Sequence, residues 1–162
     1  MNVVVKHQIS HRLAKLVRRP GGLTVGAIEI AVEARLERLA DACLIDAQDR
    51  VRRMMRLAET LPASPKAYDL RPFFEHCNDI VGLASVGHLE HAGHAALSLC
   101  QLLEEWAGDN PWSRTAFKVH LDALALLCRP DCDPDPAARD RIVKGLERVV
   151  ERHHARTAGG EL

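Results

Sequence analysis

The chain has 162 residues, enough for one domain with a sizeable core. Its 22 basic and 22 acidic side chains balance, which argues against a dedicated nucleic-acid or membrane-surface protein. Hydrophobic residues make up 47% but aromatics only 4%, the signature of an Ala/Leu/Val core between packed helices, and no apolar run reaches the roughly 18 residues that a membrane span needs.

The start, Met1 to Lys6, lacks the ordered regions of a signal peptide, so a cytoplasmic location is expected. Residues 1–23 read as a basic arm. Lys6, Arg12, Lys15, Arg18 and Arg19 face no acidic partner there, and a strand-like run at Val3 to Val5 precedes amphipathic turns through Ile9, Leu13 and Leu16. Such an arm lies on its own domain, stays mobile or attracts an acidic partner surface. Pro20-Gly21-Gly22 breaks the chain, and Thr24 is placed to cap the next helix.

From Val25 to about Leu61 the pattern is helical, with Ile28, Val32, Leu36, Leu39, Cys43, Ala47, Val51, Met54 and Leu61 forming the inward stripe. A helix this long either kinks near Ala40 to Ile45, or splits, or overhangs its bundle. An overhang gives a route to a homodimer through the N-terminal helix. Leu61-Pro62-Ala63-Ser64-Pro65 is a linker, Asp69 a candidate cap, and Pro72 fits a first turn.

Phe73 to Trp106 reads as two helices broken at Val86-Gly87-His88. Phe73, His76/Cys77, Ile80 and Leu83/Ala84 make the buried stripe of the first; Leu89, Ala92/Gly93, Ala96, Leu99/Cys100, Leu103 and Trp106 make that of the second. A short turn between them predicts an antiparallel pair. Ala107 to Pro111 is a Gly/Asn stop with a trailing proline. A helix starting near Ser113 turns Phe117, Leu121, Leu124 and Cys128 inward. After the Pro/Asp-rich turn from Arg129, a last helix runs from about Pro136 to His154, buried through Ile142/Val143, Leu146 and Val149/Val150. The tail, 157–162, is expected to be disordered. The fold class is all-α, with one helical domain over residues 24–156.

The opposite face of the helix that starts near Phe73 carries Arg71, Phe74, Glu75, Asn78, Val81, Gly82 and Ser85. Phe74 and Val81 are apolar where a solvated face would be polar, so this face meets either another helix or a partner protein. Gly82 stands mid-helix, where it costs on the order of 1 kcal/mol relative to Ala. Close backbone approach by a neighbour would explain it.

Cys77-Asn78-Asp79-Ile80-Val81-Gly82 is followed by Ser98-Leu99-Cys100-Gln101-Leu102-Leu103-Glu104. Together these stretches resemble histidine phosphotransfer (Hpt) domains of the bacterial single-domain kind, whose pattern is near A-H-D-[IL]-[KR]-G…S-L-C-x-L-[LI]-E. The resemblance continues weakly at His120 to Leu124 and at Gly145 to Val150. It implies an antiparallel four-helix bundle with a long N-terminal helix and an additional C-terminal helix. It also implies a place in two-component signalling, with a response-regulator receiver domain or a histidine-kinase or Hpt component as partner.

Two positions depart from that pattern. Asn78 stands at the phosphoacceptor histidine, and Val81 at the lysine or arginine. Phosphoryl transfer needs a nucleophile with a free lone pair and nearby positive charge. An amide nitrogen only donates, and valine brings no charge. The resemblance therefore implies a degenerate member that binds without catalysing, with no catalytic residue. The alternative is a phosphocarrier that uses His88 or His91.

Other chemistry is thinly represented. The five cysteines suggest free thiols, and Cys128…Cys132 has loose metal-ligand spacing without a second pair. His88, His91 and His94 recur every third residue near a helix start, an arrangement open to a metal or haem. Glu151 to His154 holds a single Glu-x-x-His, where a di-iron bundle needs two such motifs and two further carboxylates. No nucleophile elbow, P-loop or dinucleotide fingerprint occurs, and no cofactor or metal is expected.

Overall fold

The computed structural model describes residues 24–86, 89–108, 110–129 and 135–158. They form five helices: α1 (Val25–Glu59), α2 (Ala67–Ala84), α3 (Glu90–Ala107), α4 (Arg114–Leu127) and α5 (Pro136–Ala158). Among the described residues there is no strand, and the fold is all-α. The basic arm and the turn at Gly87-His88 lie outside the described residues.

The Thr24 hydroxyl accepts a hydrogen bond from the Ala27 amide at 3.3 Å, as its place before Val25 predicts. α1 then continues without interruption through Ala40 to Ile45, so neither the split nor a break there occurs. The chain divides into two compact units, Met1–Arg35 and Leu36–Leu162. The boundary falls inside α1 and not at residue 23. Apart from half-buried Ala27, every residue from Thr24 to Leu39 is exposed.

The stripe predicted along α1 is thus only half right. Ile28, Val32, Leu36 and Leu39 are exposed, and burial begins at Cys43 and runs through Ala47, Val51 and Met54. Periodicity identifies a face; it does not say where along the helix that face has a neighbour.

α2 starts at Ala67, earlier than its apolar pattern suggests. Asp69 is its third residue, not its cap, and its carboxylate accepts from the Lys66 amide at 2.9 Å. Pro72 consequently sits in the second turn, where its missing N–H leaves the Tyr68 carbonyl without that helical donor. Phe73, Cys77, Ile80 and Ala84 are buried as predicted.

The pairing of α2 with α3 is fixed by register. Ala84 meets Gly93 at one end, the thiols of Cys77 and Cys100 hydrogen-bond midway, and Phe74 borders a cleft with Leu103 and Ala107 at the other. Rising numbers on one helix match falling numbers on the other, so the two run antiparallel. Gly93 is required at the near end: a Cβ there would lie 2.6 Å from the Ala84 Cβ.

The same reasoning orients the remaining helices. α1 opposes α2 through Arg50 with Asp79 and Met54 with Cys77. It also reaches α4, where Gln48 donates to the Cys128 carbonyl at 2.8 Å and the Leu61 carbonyl just beyond α1 accepts from Arg114 at 2.7 Å. α4 opposes α3, with His120 beside Ser98 and Phe117 beside Trp106. α5 runs along α3 through His91–Asp140 and Trp106–His153. Each helix is therefore antiparallel to its predecessor.

Four of the six aromatic residues gather at one end of this core. Phe117 is 5.0 Å from Phe73 and 5.1 Å from Trp112 between ring centroids, and Trp106 is 4.7 Å from Trp112. Such edge-to-face pairs add about 0.5–1.5 kcal/mol each beyond their buried area. Ser113 caps α4 by accepting from the Ala116 amide at 3.3 Å, as its sequence position predicts. α5 extends to Ala158, so Thr157 and Ala158, assigned to a disordered tail, continue the helix.

Candidate docking face on α2

Helical spacing puts Arg71, Phe74, Glu75, Asn78, Val81, Gly82 and Ser85 on one side of α2, away from Phe73, Cys77 and Ile80. Asn78 is exposed, as are Arg71, Glu75, Gly82 and Ser85. Phe74 and Val81 are half-buried and pack against the core. The two apolar members are thus shared between core and surface, not displayed outright.

Gly82 corrects one expectation. A Cβ built there meets nothing within 4 Å, so no neighbouring helix of this chain approaches its backbone. The Ser85 hydroxyl donates to the Gly82 carbonyl at 3.0 Å, turning inward on the last turn. Arg71 and Glu75 pair at 2.9 Å one turn apart.

The rim on the α1 side is polar. Asp79 pairs with Arg50, which also holds Asp46 at 3.1 Å, so this guanidinium is shared between two carboxylates. His76 is half-buried, with Nδ1 enclosed and unpartnered. Burial, then the cations Arg50 and Arg53, push its pKa down, so the neutral form is favoured. At the other end, a cleft of 200 Å³ opens between α2 and α3 beside Phe74, bounded by Leu70, Leu103 and Ala107 with Arg71 and Glu104 at its mouth.

This arrangement can bind but has no means to relay a phosphoryl group at Asn78. The amide has no free lone pair on nitrogen, and the nearest guanidinium, Arg50, is already committed to carboxylates. Of the alternative histidines, His91 is half-buried with Nε2 2.9 Å from Asp140 Oδ1, and His88 lies outside the described residues. His94 is exposed on α3. Among the described residues no three His, Cys, Asp or Glu side chains gather as a metal set. Cys128 is buried, and burial pushes its thiol up to about 11; Cys132 lies outside the described residues.

Two buried histidines carry contacts that the sequence pattern did not single out. His120 bridges Ala116 and Ser98, and His153 accepts from the Trp106 indole at 3.1 Å. The signal was available: His120 follows Phe117 by three, and His153 follows Leu146 by seven, so both lie on inward stripes.

No protein-family profile, curated protein or solved structure matches the chain. No helix among the described residues is long and apolar enough to cross a membrane.

Proposed function

We propose that the chain is an Hpt-like binding module of two-component signalling, docking a response-regulator receiver domain or an Hpt partner through α2 without relaying phosphate. In this reading α1 to α4 make the four-helix bundle of that family, and α5 is the additional helix. The single observation that carries it is the exposure of Asn78 at the phosphoacceptor position, on a face that also presents Gly82 in open space. An asparagine packed into the core would have removed the docking face altogether.

Phe74, half-buried beside the α2–α3 cleft, supplies the aromatic anchor on which such an interface depends. Truncating an anchor of this kind typically costs 2 kcal/mol or more of binding, by order of magnitude about 30-fold in affinity. Glycine at 82 lets a partner backbone come close.

The test is receiver binding by titration calorimetry with the Gly82→Arg variant. No atom of this chain occupies the space beside Gly82, so the arginine leaves the fold intact while blocking the face. Abolished binding supports the reading; unchanged binding removes α2 from it. Installing Asn78→His with Val81→Lys then asks whether chemistry alone was lost. Acid-labile label appearing on this double variant, from a phosphorylated receiver, is the expected result.

A further inference from the structure

On the side of α3 turned to α5 lies a groove of 440 Å³, lined by His94, Leu97, Ser98, Gln101, Val143, Leu146, Glu147, Val150 and Glu151. His94, Ser98 and Gln101 are spaced four and three residues apart, so they form one polar row along it. Ser98 is half-buried, and its hydroxyl oxygen is 3.0 Å from Nε2 of His120, which is fully buried.

The tautomer follows from geometry. Nδ1 of His120 lies 2.8 Å from the Ala116 carbonyl oxygen, which can only accept, so Nδ1 carries the proton. Nε2 is then a bare acceptor, and the Ser98 hydroxyl must donate to it. This is the arrangement of an activated nucleophile: a hydroxyl on a groove wall, a base behind it, and a third group fixing the base. Burial lowers the His120 pKa and keeps the ring neutral near pH 7, as a base must be.

The groove also defines an occupant. Leu97, Val143, Leu146 and Val150 are apolar, whereas Glu147 and Glu151 place two carboxylates one turn apart on α5. Neither carboxylate is paired with a cation among the described residues. Like charges at that spacing repel, and a cation between them relieves the repulsion.

We propose that Ser98, with His120 as its general base, accepts an acyl group from carboxylic esters that join a short apolar acid to a cationic alcohol. The Ser98 oxygen attacks the carbonyl carbon as its proton passes to His120 Nε2, and the carbonyl electron pair moves onto oxygen. The Gln101 side-chain amide, in the same row, is the donor for that oxyanion. Collapse breaks the bond to the alcohol oxygen, which leaves with the proton from Nε2. Water repeats the sequence on the acyl-serine, releasing the carboxylic acid and restoring the hydroxyl.

The experiment uses the full chain with p-nitrophenyl acetate, acetylcholine and the uncharged tert-butyl isostere of acetylcholine. Peptide mass mapping after reaction should place one acetyl group on Ser98, and Ser98→Ala should lose it. Acetyl groups only on lysines or on His94, or none, overturn the proposal. His120→Gln should slow acetylation by about 100-fold or more; an unchanged rate in a folded variant also overturns it. If that variant fails to fold, the mapping on wild type and Ser98→Ala decides alone. Acetylcholine should react faster than its isostere, and Glu147→Gln with Glu151→Gln should erase the difference. Equal rates for the two esters in wild type overturn the assignment of the cationic alcohol.

Discussion

Replacing Gly93 by alanine tests the closest approach in the core. A Cβ there would stand 2.6 Å from the Ala84 Cβ, against ordinary contact at 3.4 Å or beyond, so α2 and α3 would have to separate by close to an ångström. Overpacking of this kind costs about 1–3 kcal/mol. Alanine also gains about 1 kcal/mol of helix propensity over glycine, which offsets part of the penalty and obscures it in a single measurement. Gly145 supplies the control. It is exposed within α5 with nothing near its missing Cβ, so Gly145→Ala carries the propensity gain alone. The difference between the two variants isolates the clash. Urea unfolding followed by far-UV circular dichroism should show Gly145→Ala stabilised and Gly93→Ala less stable than it by about 1–3 kcal/mol. Ala84→Gly should restore most of that loss in the Gly93→Ala background, as a coupled pair must. Equal stability of the two alanine variants would refute the close approach of α2 and α3.

Three further outcomes are expected. His120 and His76 both have lowered pKa values, so the unfolded chain takes up protons near 6.5 before the folded one does; stability should be greatest above neutrality and fall as pH drops through about 6.5 to 5, which urea midpoints across that range will show. His153→Ala leaves the buried Trp106 indole without an acceptor and should cost about 1–3 kcal/mol in the same unfolding assay, whereas Ser113→Ala, which removes the cap of α4, should cost about 1 kcal/mol. Arg50→Ala, despite breaking two ion pairs at a half-exposed site, should change stability by no more than about 1 kcal/mol in urea unfolding.

The sequence was most informative where an apolar stripe and a stop signal coincide. On α3, Ala92, Gly93, Ala96, Leu99, Cys100, Leu103 and Trp106 were all expected inside and are all buried. Ala95 and Leu102 are buried too, because α3 has neighbours on the α2, α4 and α5 sides, which a single stripe cannot express. On α1 the error is opposite: Ile28 to Leu39 continue the stripe that Cys43 begins to bury, yet they are exposed. The face of α2 was legible as a set of residues, but the half-burial of Phe74 and Val81 depends on how α2 rolls against its neighbours. That roll is set by Gly93 and by the Cys77–Cys100 contact, a long-range fact. Ser98 and His120 are 22 residues apart and were read separately, one in a motif and one in a stripe.

Cys43, Cys77, Cys100 and Cys128 are all buried as free thiols. They report, without any added probe, on how often the core opens. A thiol-specific reagent can modify Cys77, which has no accessible surface, only while α2 is lifted from α3. Cys43 reports on the start of the buried part of α1, and Cys128 on the end of α4. Timed alkylation read by peptide mass would therefore give opening rates for separate helices within one native sample, and would show whether a ligand bound on α2 slows its release.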